Sequence, residues 1–115
     1  DYIGAVQGIP VCFDAKECKA DTFPLQNIHE HQMDFMGKFE KQGGIAFLLI
    51  YFSTREELYY MRYGQILKFW ERGLKGGRKS FRYDELEPGW FMELKQGYFV
   101  PYLECIQKDL DCRDE

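Results

Sequence analysis

The chain has 115 residues, of which 45% are hydrophobic and 17% aromatic, and its formal net charge at pH 7 is −4. This composition excludes a disordered chain and fits one compact domain, residues 1–115. No apolar run approaches the roughly 20 residues that a membrane-spanning helix requires. The acidic balance argues mildly against nucleic acid as a partner, although the distribution of charge matters more than its sum.

The chain contains four cysteines, which are Cys12, Cys18, Cys105 and Cys112. Their x5 and x6 spacings differ from the tight C-x2-C pairs of zinc ribbons. No secretion signal is visible, and disulfides form mainly in oxidising compartments. We therefore expect reduced thiols and a cytoplasmic protein.

The first third of the chain contains signals for a hairpin and a helix. Strands at 1–7 and 9–18 are predicted to join at Gly8, and 20–24 is expected to be a loop. Asn27 and Glu30 have the spacing of a capping box, which predicts a helix from 27 to about 41. The Gly-Gly pair at 43–44 would end that helix.

The remaining elements alternate between strands and helices. They are predicted as a buried central strand at 45–52, a strand at 57–62, a helix at 65–72, a glycine-rich loop at 73–80, a helical turn at 83–86, an edge strand at 90–95 and a helix at 102–110. This order predicts an α/β domain in which a mixed β-sheet is flanked by helices.

Asp14 and Lys16 form a D-x-K tripeptide on the second predicted strand. Residues two apart on a strand project from the same face, about 6–7 Å from each other. With Asp1 on the neighbouring strand, they could hold Mg²⁺ and stabilise charge on a phosphate, as in a metal-dependent phosphodiesterase. Taken alone the tripeptide is a weak motif, and a half-buried strand with a surface ion pair is the commoner explanation.

Gln32 interrupts the buried stripe predicted for the first helix. The apolar members of that stripe are Ile28, Phe35, Met36 and Phe39. A buried amide needs hydrogen-bond partners, which either a metal shell beside Asp14 and Lys16 or the backbone at a strand end would supply. His29 and His31 lack metal-ligand spacing and are interpreted as capping or surface groups.

Basic residues concentrate in one part of the chain. Between positions 62 and 82 there are seven basic residues against one acid, whereas acids gather in an expected C-terminal tail at 109–115. The candidates for contacts with DNA phosphates lie in the glycine-rich loop and are Lys75, Arg78 and Lys79. A solvated helix followed by a polar loop is the alternative explanation.

Four segments carry a resemblance to a known family. They are FDAKE at 13–17, FPLQNIHEHQ at 23–32, EKQGG at 40–44 and GRKS at 77–80. These segments resemble the RecU-type Holliday junction resolvases of Gram-positive bacteria and their phages, which are PD-(D/E)xK, restriction-endonuclease-like nucleases. The likeness covers nearly the whole chain and weakens after Pro88.

The resemblance implies roles for four residues. Asp1 falls on the first metal-binding carboxylate, and Asp14 on the second, where the family usually has Glu. Lys16 falls on the lysine that stabilises the transition state, and Gln32 on the helix glutamine that completes the metal shell. The family's N-terminal helix, its stalk and the threonine before the first carboxylate have no counterpart in this sequence.

The activity implied by the resemblance is Mg²⁺-dependent cleavage of four-way DNA junctions in recombination and repair. Mn²⁺ is the alternative cofactor, a homodimer is expected because two strands must be cut, and a recombinase is a candidate partner. Two other hypotheses stay open at this point. One is a catalytically silent DNA-binding or recombinase-interacting module of the same fold, and the other is a nuclease that cuts ordinary duplex DNA.

Overall fold

The computed structural model describes residues 2–93 and 102–113, with the backbone alone for 93, 102–105 and 113. The elements within these residues are β1 (Tyr2–Val6), β2 (Ile9–Cys18), β3 (Thr22–Pro24), α1 (Glu30–Lys41), β4 (Ile45–Phe52), β5 (Glu57–Arg62), α2 (Tyr63–Leu74), β6 (Ser80–Arg82), β7 (Phe91–Glu93) and α3 (Tyr102–Arg113). Single 3₁₀ turns lie at Leu25–Asn27, Tyr83–Glu85 and Pro88–Trp90. Among the described residues, every helix is too short or too polar to span a membrane.

A mixed sheet of five strands forms the centre of the molecule, in the order β1-β2-β4-β5-β7. β2 and β4 are parallel, and the other neighbouring strands pair antiparallel. Parallel neighbours need a crossover connection, which α1 provides between β2 and β4. α1 therefore runs back against both strands, and its first turn lies beside the carboxyl half of β2.

Helices cover both faces of the sheet, which makes the three layers predicted from the sequence. Adjacent side chains on a strand point to opposite faces. The Tyr59 hydroxyl donates to Gln65 Oε1 on α2 at 2.7 Å, whereas the next hydroxyl, that of Tyr60, donates to Asp109 Oδ2 on α3 at 2.8 Å. α1 lies on the same face of the sheet as α2, because Gly37 of α1 is next to Tyr63, the first residue of α2. A Cβ added at Gly37 would lie only 2.7 Å from the Tyr63 hydroxyl oxygen.

A row of stacked aromatic rings crosses the face of the sheet that α3 covers. Successive ring centroids lie 4.9, 5.0, 4.2 and 5.5 Å apart along Tyr2, Phe13, Phe47, Tyr60 and Trp90. The ammonium of Lys108, on α3, lies 4.5 Å from the centre of the last ring. Aromatic pairs add stability beyond their buried area, so this row ties the edge strand β1 to the opposite side of the sheet.

Two expectations for the first third of the chain are wrong. The expected loop at 20–24 contains β3, which pairs with β6 because Phe23 and Phe81 are buried and stack at 5.0 Å. The helix begins at Glu30 with His29 as its N-cap, since Asn27 is taken up by the preceding 3₁₀ turn. The predicted end is confirmed, because Gly43 has a φ of +89°.

The later elements follow the predictions with shifted boundaries. α2 is longer than expected at both ends, and position 90 belongs to a 3₁₀ turn, so that the edge strand starts at Phe91. Positions 94–95 of the predicted strand lie outside the described residues. α3 continues to Arg113, so much of the expected acidic tail is helical. Asp109 of that tail is buried, and its carboxylate accepts a hydrogen bond from the Tyr60 hydroxyl.

The buried stripe of α1 also differs from the prediction. Met33 and Met36 are the buried residues, whereas Phe35 is 47% exposed. The helix packs mainly on β4, the central strand, and this turns Phe35 toward the uncovered edge of the sheet at β1. Ile28 is buried as expected, but it lies ahead of the helix.

Three of the four cysteines have described side chains. Cys12 and Cys18 are buried free thiols, and Cys112 is an exposed free thiol. Burial, together with the negative charge of Glu40, raises the pKa of Cys12 to about 11. Cys12 is therefore a protonated core residue at neutral pH.

The contact between Tyr60 and Asp109 leads to a stability prediction. In Tyr60→Phe, a buried carboxylate loses one hydrogen-bond donor, and we expect the free energy of unfolding to fall by about 1.5–3 kcal/mol. Denaturant unfolding measures this change. Tyr51→Phe is the matched control, because its hydroxyl has no hydrogen bond within the described residues, and its expected change is within about 0.5 kcal/mol. Equal effects would show that the Tyr60 hydroxyl does not anchor α3.

Candidate active site

Asp14 and Lys16 occupy alternate positions on β2, so their side chains project from the same face. Lys16 Nζ lies 2.9 Å from Asp14 Oδ2, and each side chain is about one-fifth exposed. The other carboxylate oxygen accepts a hydrogen bond from the Ala15 amide at 3.0 Å. The tripeptide therefore forms the ion pair that strand alternation predicts, at a position that solvent reaches.

The side chain of Gln32 joins this pair to the start of α1. Its Oε1 accepts from the backbone amide of His29 at 3.1 Å, which is half of a capping box, and lies 3.4 Å from Lys16 Nζ. Its Nε2 donates to Asp14 Oδ2 at 3.0 Å. One amide thus satisfies a helix terminus and contacts both members of the ion pair.

The role of His29 was only partly visible in the sequence. The sequence pattern predicts a capping box at Asn27 and Glu30, whereas the pair in the structure is His29 and Gln32. The same three-residue spacing occurs two residues later, at His29 and Gln32, but histidine is not a preferred N-cap residue. The candidate ligand Gln32 also accepts the backbone amide of the N-cap residue His29. The capping interaction at the start of the helix therefore fixes the position of Gln32.

The charge on Asp14 is set by opposing influences. Partial burial raises the pKa of the carboxyl group, but the hydrogen bonds from Lys16 and Gln32 and the charge of Lys16 outweigh it, and the net pKa lies below its ordinary value. A lowered folded-state pKa stabilises the fold above the ordinary pKa of about 3.9, and this stabilisation is lost as the pH falls through the lowered value. Asp14 is therefore a carboxylate at neutral pH.

The chemistry of these side chains fits a hard divalent cation. Mg²⁺ binds through one or two carboxylates, other oxygen donors and water. Asp14 and Gln32 supply such oxygens, and the carboxylate already holds a positive charge, the ammonium of Lys16, at 2.9 Å. Within the described ranges, no group of three or more His, Cys, Asp and Glu residues forms a metal cluster.

Asp1, the other predicted ligand, lies outside the described residues. Its neighbour Tyr2 pairs with Phe13, the residue before Asp14, in the hairpin of β1 and β2. The structure thus brings together Asp14, Lys16 and Gln32 of the four predicted catalytic residues.

The basic loop lies separately, at the carboxyl end of α2. Lys75, Arg78 and Lys79 are all exposed. Arg78 pairs at 2.9 Å with Glu85, which also binds Arg72 at 3.1 Å. Among the described residues, Lys75 and Lys79 form no ion pair.

The backbone of this loop is anchored to neighbouring elements. The Gly77 amide donates to the Arg72 carbonyl at 2.9 Å, and the Lys79 carbonyl accepts from the Leu25 amide at 3.0 Å. Gly76 has a φ of +92°, a conformation that favours glycine. The loop is therefore tied to α2 and to the segment that leads into α1.

The mixed sheet with helices on both faces is the fold of the restriction-endonuclease-like nucleases, with D-x-K on an inner strand beside a helix glutamine. The family model described as RecU, Recombination protein U, matches residues 1–108. The chain belongs to this family.

Curated relatives agree with this family. The chain is 41% identical over 110 residues to a protein of Levilactobacillus brevis, with 94% of this chain and 55% of the relative covered. It is 42% identical over 109 residues to a protein of Bacillus pumilus, with 93% of this chain and 52% of the relative covered. It is also 42% identical over 103 residues to a protein of Staphylococcus aureus, with 89% of this chain and 46% of the relative covered. Each relative is named Holliday junction resolvase RecU. The chain spans about half the length of these relatives.

The electrostatics of the site can be measured directly. In Lys16→Met the ammonium is lost while the stem of the side chain remains, so we expect the pKa of Asp14 to rise because burial is no longer opposed by the ion pair. A pH titration of the carboxyl carbons by NMR measures the change. Asp21 is the internal control, since its pKa is lowered by the hydrogen bonds from Arg55 and should not move. An unchanged Asp14 titration would contradict the described ion pair.

Proposed function

We propose that residues 1–115 form the nuclease domain of a structure-selective endonuclease that resolves four-way DNA junctions in recombination and repair. The observation that carries the proposal is the cluster of Asp14, Lys16 and Gln32, in which a carboxylate, an ammonium and an amide meet on an accessible part of the sheet. The names of the relatives support junction DNA as the substrate.

Asp14, Gln32 and Asp1 are the residues that we assign to metal binding. Asp14 and Gln32 are in contact in the structure, and the pairing of Tyr2 with Phe13 supports Asp1 as the third member. When bound, Mg²⁺, or Mn²⁺ in its place, neutralises charge on the phosphate and acidifies a water molecule. Both ions suit carboxylate and carbonyl oxygens.

Lys16 supplies the fixed positive charge for hydrolysis. Its ammonium is held by Asp14 at 2.9 Å, so little reorganisation is needed when a phosphate oxygen gains negative charge in the transition state. Gln32 holds Asp14 in place through its Nε2 and is itself fixed by the helix cap. The residues on β2 and α1 therefore orient one another before DNA arrives.

The reaction requires two cuts on strands related by symmetry. Two equivalent sites follow most simply from a homodimer with a two-fold axis. A recombinase is the expected protein partner, and the cytoplasm, which holds the DNA and keeps thiols such as Cys12 and Cys18 reduced, is the expected location.

The central test of the proposal is Lys16→Ala in the intact protein. We expect cleavage of a four-way junction to slow by about 10²–10³, because one preorganised charge at the transition state is lost, while junction affinity stays nearly unchanged. Asp14→Asn should also remove activity, because an amide is an uncharged and weaker metal ligand. Single-turnover cleavage and a binding titration measure the two quantities.

Lys41→Ala is the control for this test. Lys41 is an exposed lysine at the carboxyl end of α1, and its loss should leave the rate unchanged. Cleavage at the wild-type rate in Lys16→Ala would make Lys16 a structural ion-pair partner. A wild-type protein that binds junctions and cuts none with Mg²⁺ or Mn²⁺ would instead identify a silent DNA-binding module.

The exposed basic loop is the part of the surface that we assign to DNA phosphates. In the variant with Lys75, Arg78 and Lys79 all changed to Ala, affinity should fall about equally for every DNA sequence. The slope of log K against log salt should shrink by up to about 0.9 for each lost contact, and so by at most about 2.7. Arg78 should contribute least, since Glu85 already holds it.

Lys41→Ala is the control for the loop variant. Lys41 is an exposed lysine at the carboxyl end of α1. At a rise of 1.5 Å per residue, it lies about 17 Å along the helix from the first residue, Glu30, whose turn also contains Gln32. Its loss should leave the salt slope unchanged. An unchanged slope in the triple variant as well would place the DNA on another surface.

A further inference from the structure

A groove of about 490 Å³ opens directly beside the candidate active site, between β1 and α1. Asp14 and Gln32 are among the residues that line it. The rest of its wall is mainly apolar and includes Ile3, Phe35 and Met36. Ile3 and Phe35 are 68% and 47% exposed, so two large apolar side chains face solvent beside the reactive groups.

The groove exists because α1 leaves the edge of the sheet uncovered. The helix packs through Met33 and Met36 and has more contacts with β4 than with the edge strand. Ile3, which pairs with Cys12 on β2, therefore projects beyond the area that the helix covers. Exposed apolar side chains grouped around a cavity are typical of a binding surface.

We propose that this groove receives the nucleobase next to the phosphate that is cut. The inference rests on the proposed function, because it takes Asp14 and Lys16 to lie at that phosphate. Asp14 and Gln32 line both the candidate active site and the groove. A base is one sugar away from its phosphate, so DNA bound at Asp14 brings a base to the mouth of the groove.

The chemistry of the groove and of the adjoining site matches a nucleotide. Asp14 and Gln32 line the groove, and Lys16 Nζ lies 2.9 Å from Asp14, so groups that suit a phosphate border it. The wall also contains the exposed ring of Phe35, and every base has a face that can stack on an aromatic ring. Unpaired or weakly stacked bases at a branch point are easier to extrude than those of a regular duplex.

A protein segment fits the groove less well than a base. Because Asp14 and Gln32 line the groove, a partner or chain segment that stayed there would keep DNA away from the candidate catalytic carboxylate. A base enters and leaves with the substrate and leaves the carboxylate accessible.

The test pairs removal of the ring with removal of the base. Four-way junctions are prepared with a single abasic nucleotide at each position around the cut, and affinities are measured with Ca²⁺, which takes the same oxygen ligands. For the intact wild-type protein, one abasic position should weaken binding by about 5- to 150-fold, the range expected for one base stacked on an aromatic side chain. In Phe35→Ala the intact junction should bind more weakly, and removal of that base should have little further effect.

Leu74→Ala is the matched control, because Leu74 is an exposed apolar side chain, 74% exposed, at the far end of α2. For the Leu74→Ala variant, the abasic nucleotide should lower junction affinity by the same factor as for the wild type. The proposal is overturned if an abasic nucleotide, at every position tested, lowers the junction affinity of Phe35→Ala and of the wild type by the same factor. It is also overturned if Phe35→Ala sediments as a smaller species than the wild type, since a second protein chain would then cover the groove.

The result separates the groove from the proposed function. If Lys16→Ala stops cleavage but no abasic position is coupled to Phe35, the groove assignment alone fails. If the wild-type protein neither prefers nor cuts junctions, the proposed function fails and the groove assignment fails with it.

Discussion

The hydrogen bond from the Gln32 amide to Asp14 is the interaction on which the site depends. It joins the first turn of α1 to the middle of β2 at 3.0 Å. The same side chain accepts the backbone amide of His29 and so completes the start of the helix. An unsatisfied helix terminus and an isolated carboxylate would each cost free energy. Here one glutamine side chain satisfies both, and this couples helix formation to the geometry of the reactive groups.

The topology of the sheet makes this interaction possible. Parallel pairing of β2 with β4 requires a crossover, and the crossover helix returns along the strand that carries Asp14 and Lys16. A helix of antiparallel direction places its amino terminus at the carboxyl half of β2. The first turn of the helix then brings Gln32 to Asp14, and the hydrogen bond that Gln32 donates favours the charged carboxylate. The fold and the charge state of the site thus have a common origin.

Local patterns in the sequence predict the parts of this arrangement that depend on near neighbours. The period of two along a strand predicts the pairing of Asp14 with Lys16, and the Gly-Gly pair after α1 predicts the end of the helix, where Gly43 has a positive φ. The continuous apolar run at 45–52 predicts the central strand, which the structure confirms. Each of these signals is set by residues within a few positions of one another.

The features that the sequence does not predict depend on distant residues. Periodicity along α1 identifies apolar positions, but only the order of the strands decides that Met33 is covered while Phe35 stays exposed. The pairing of β3 with β6 joins Phe23 to Phe81, which are far apart in the sequence. The shift of the helix start from Asn27 to His29 has a similar cause, since Ile28 is buried and holds the preceding turn in place.

The most direct test of the central claim, that β2 and the start of α1 form one metal-dependent catalytic centre, is anomalous diffraction from crystals of the intact protein soaked in Mn²⁺. Mn²⁺ prefers carboxylate and carbonyl oxygens as Mg²⁺ does. Its anomalous signal locates the ion and distinguishes it from a water molecule. The account predicts a peak within coordination distance of the Asp14 carboxylate and its loss in crystals of Asp14→Asn. A peak bound elsewhere, unaffected by Asp14→Asn, would contradict it.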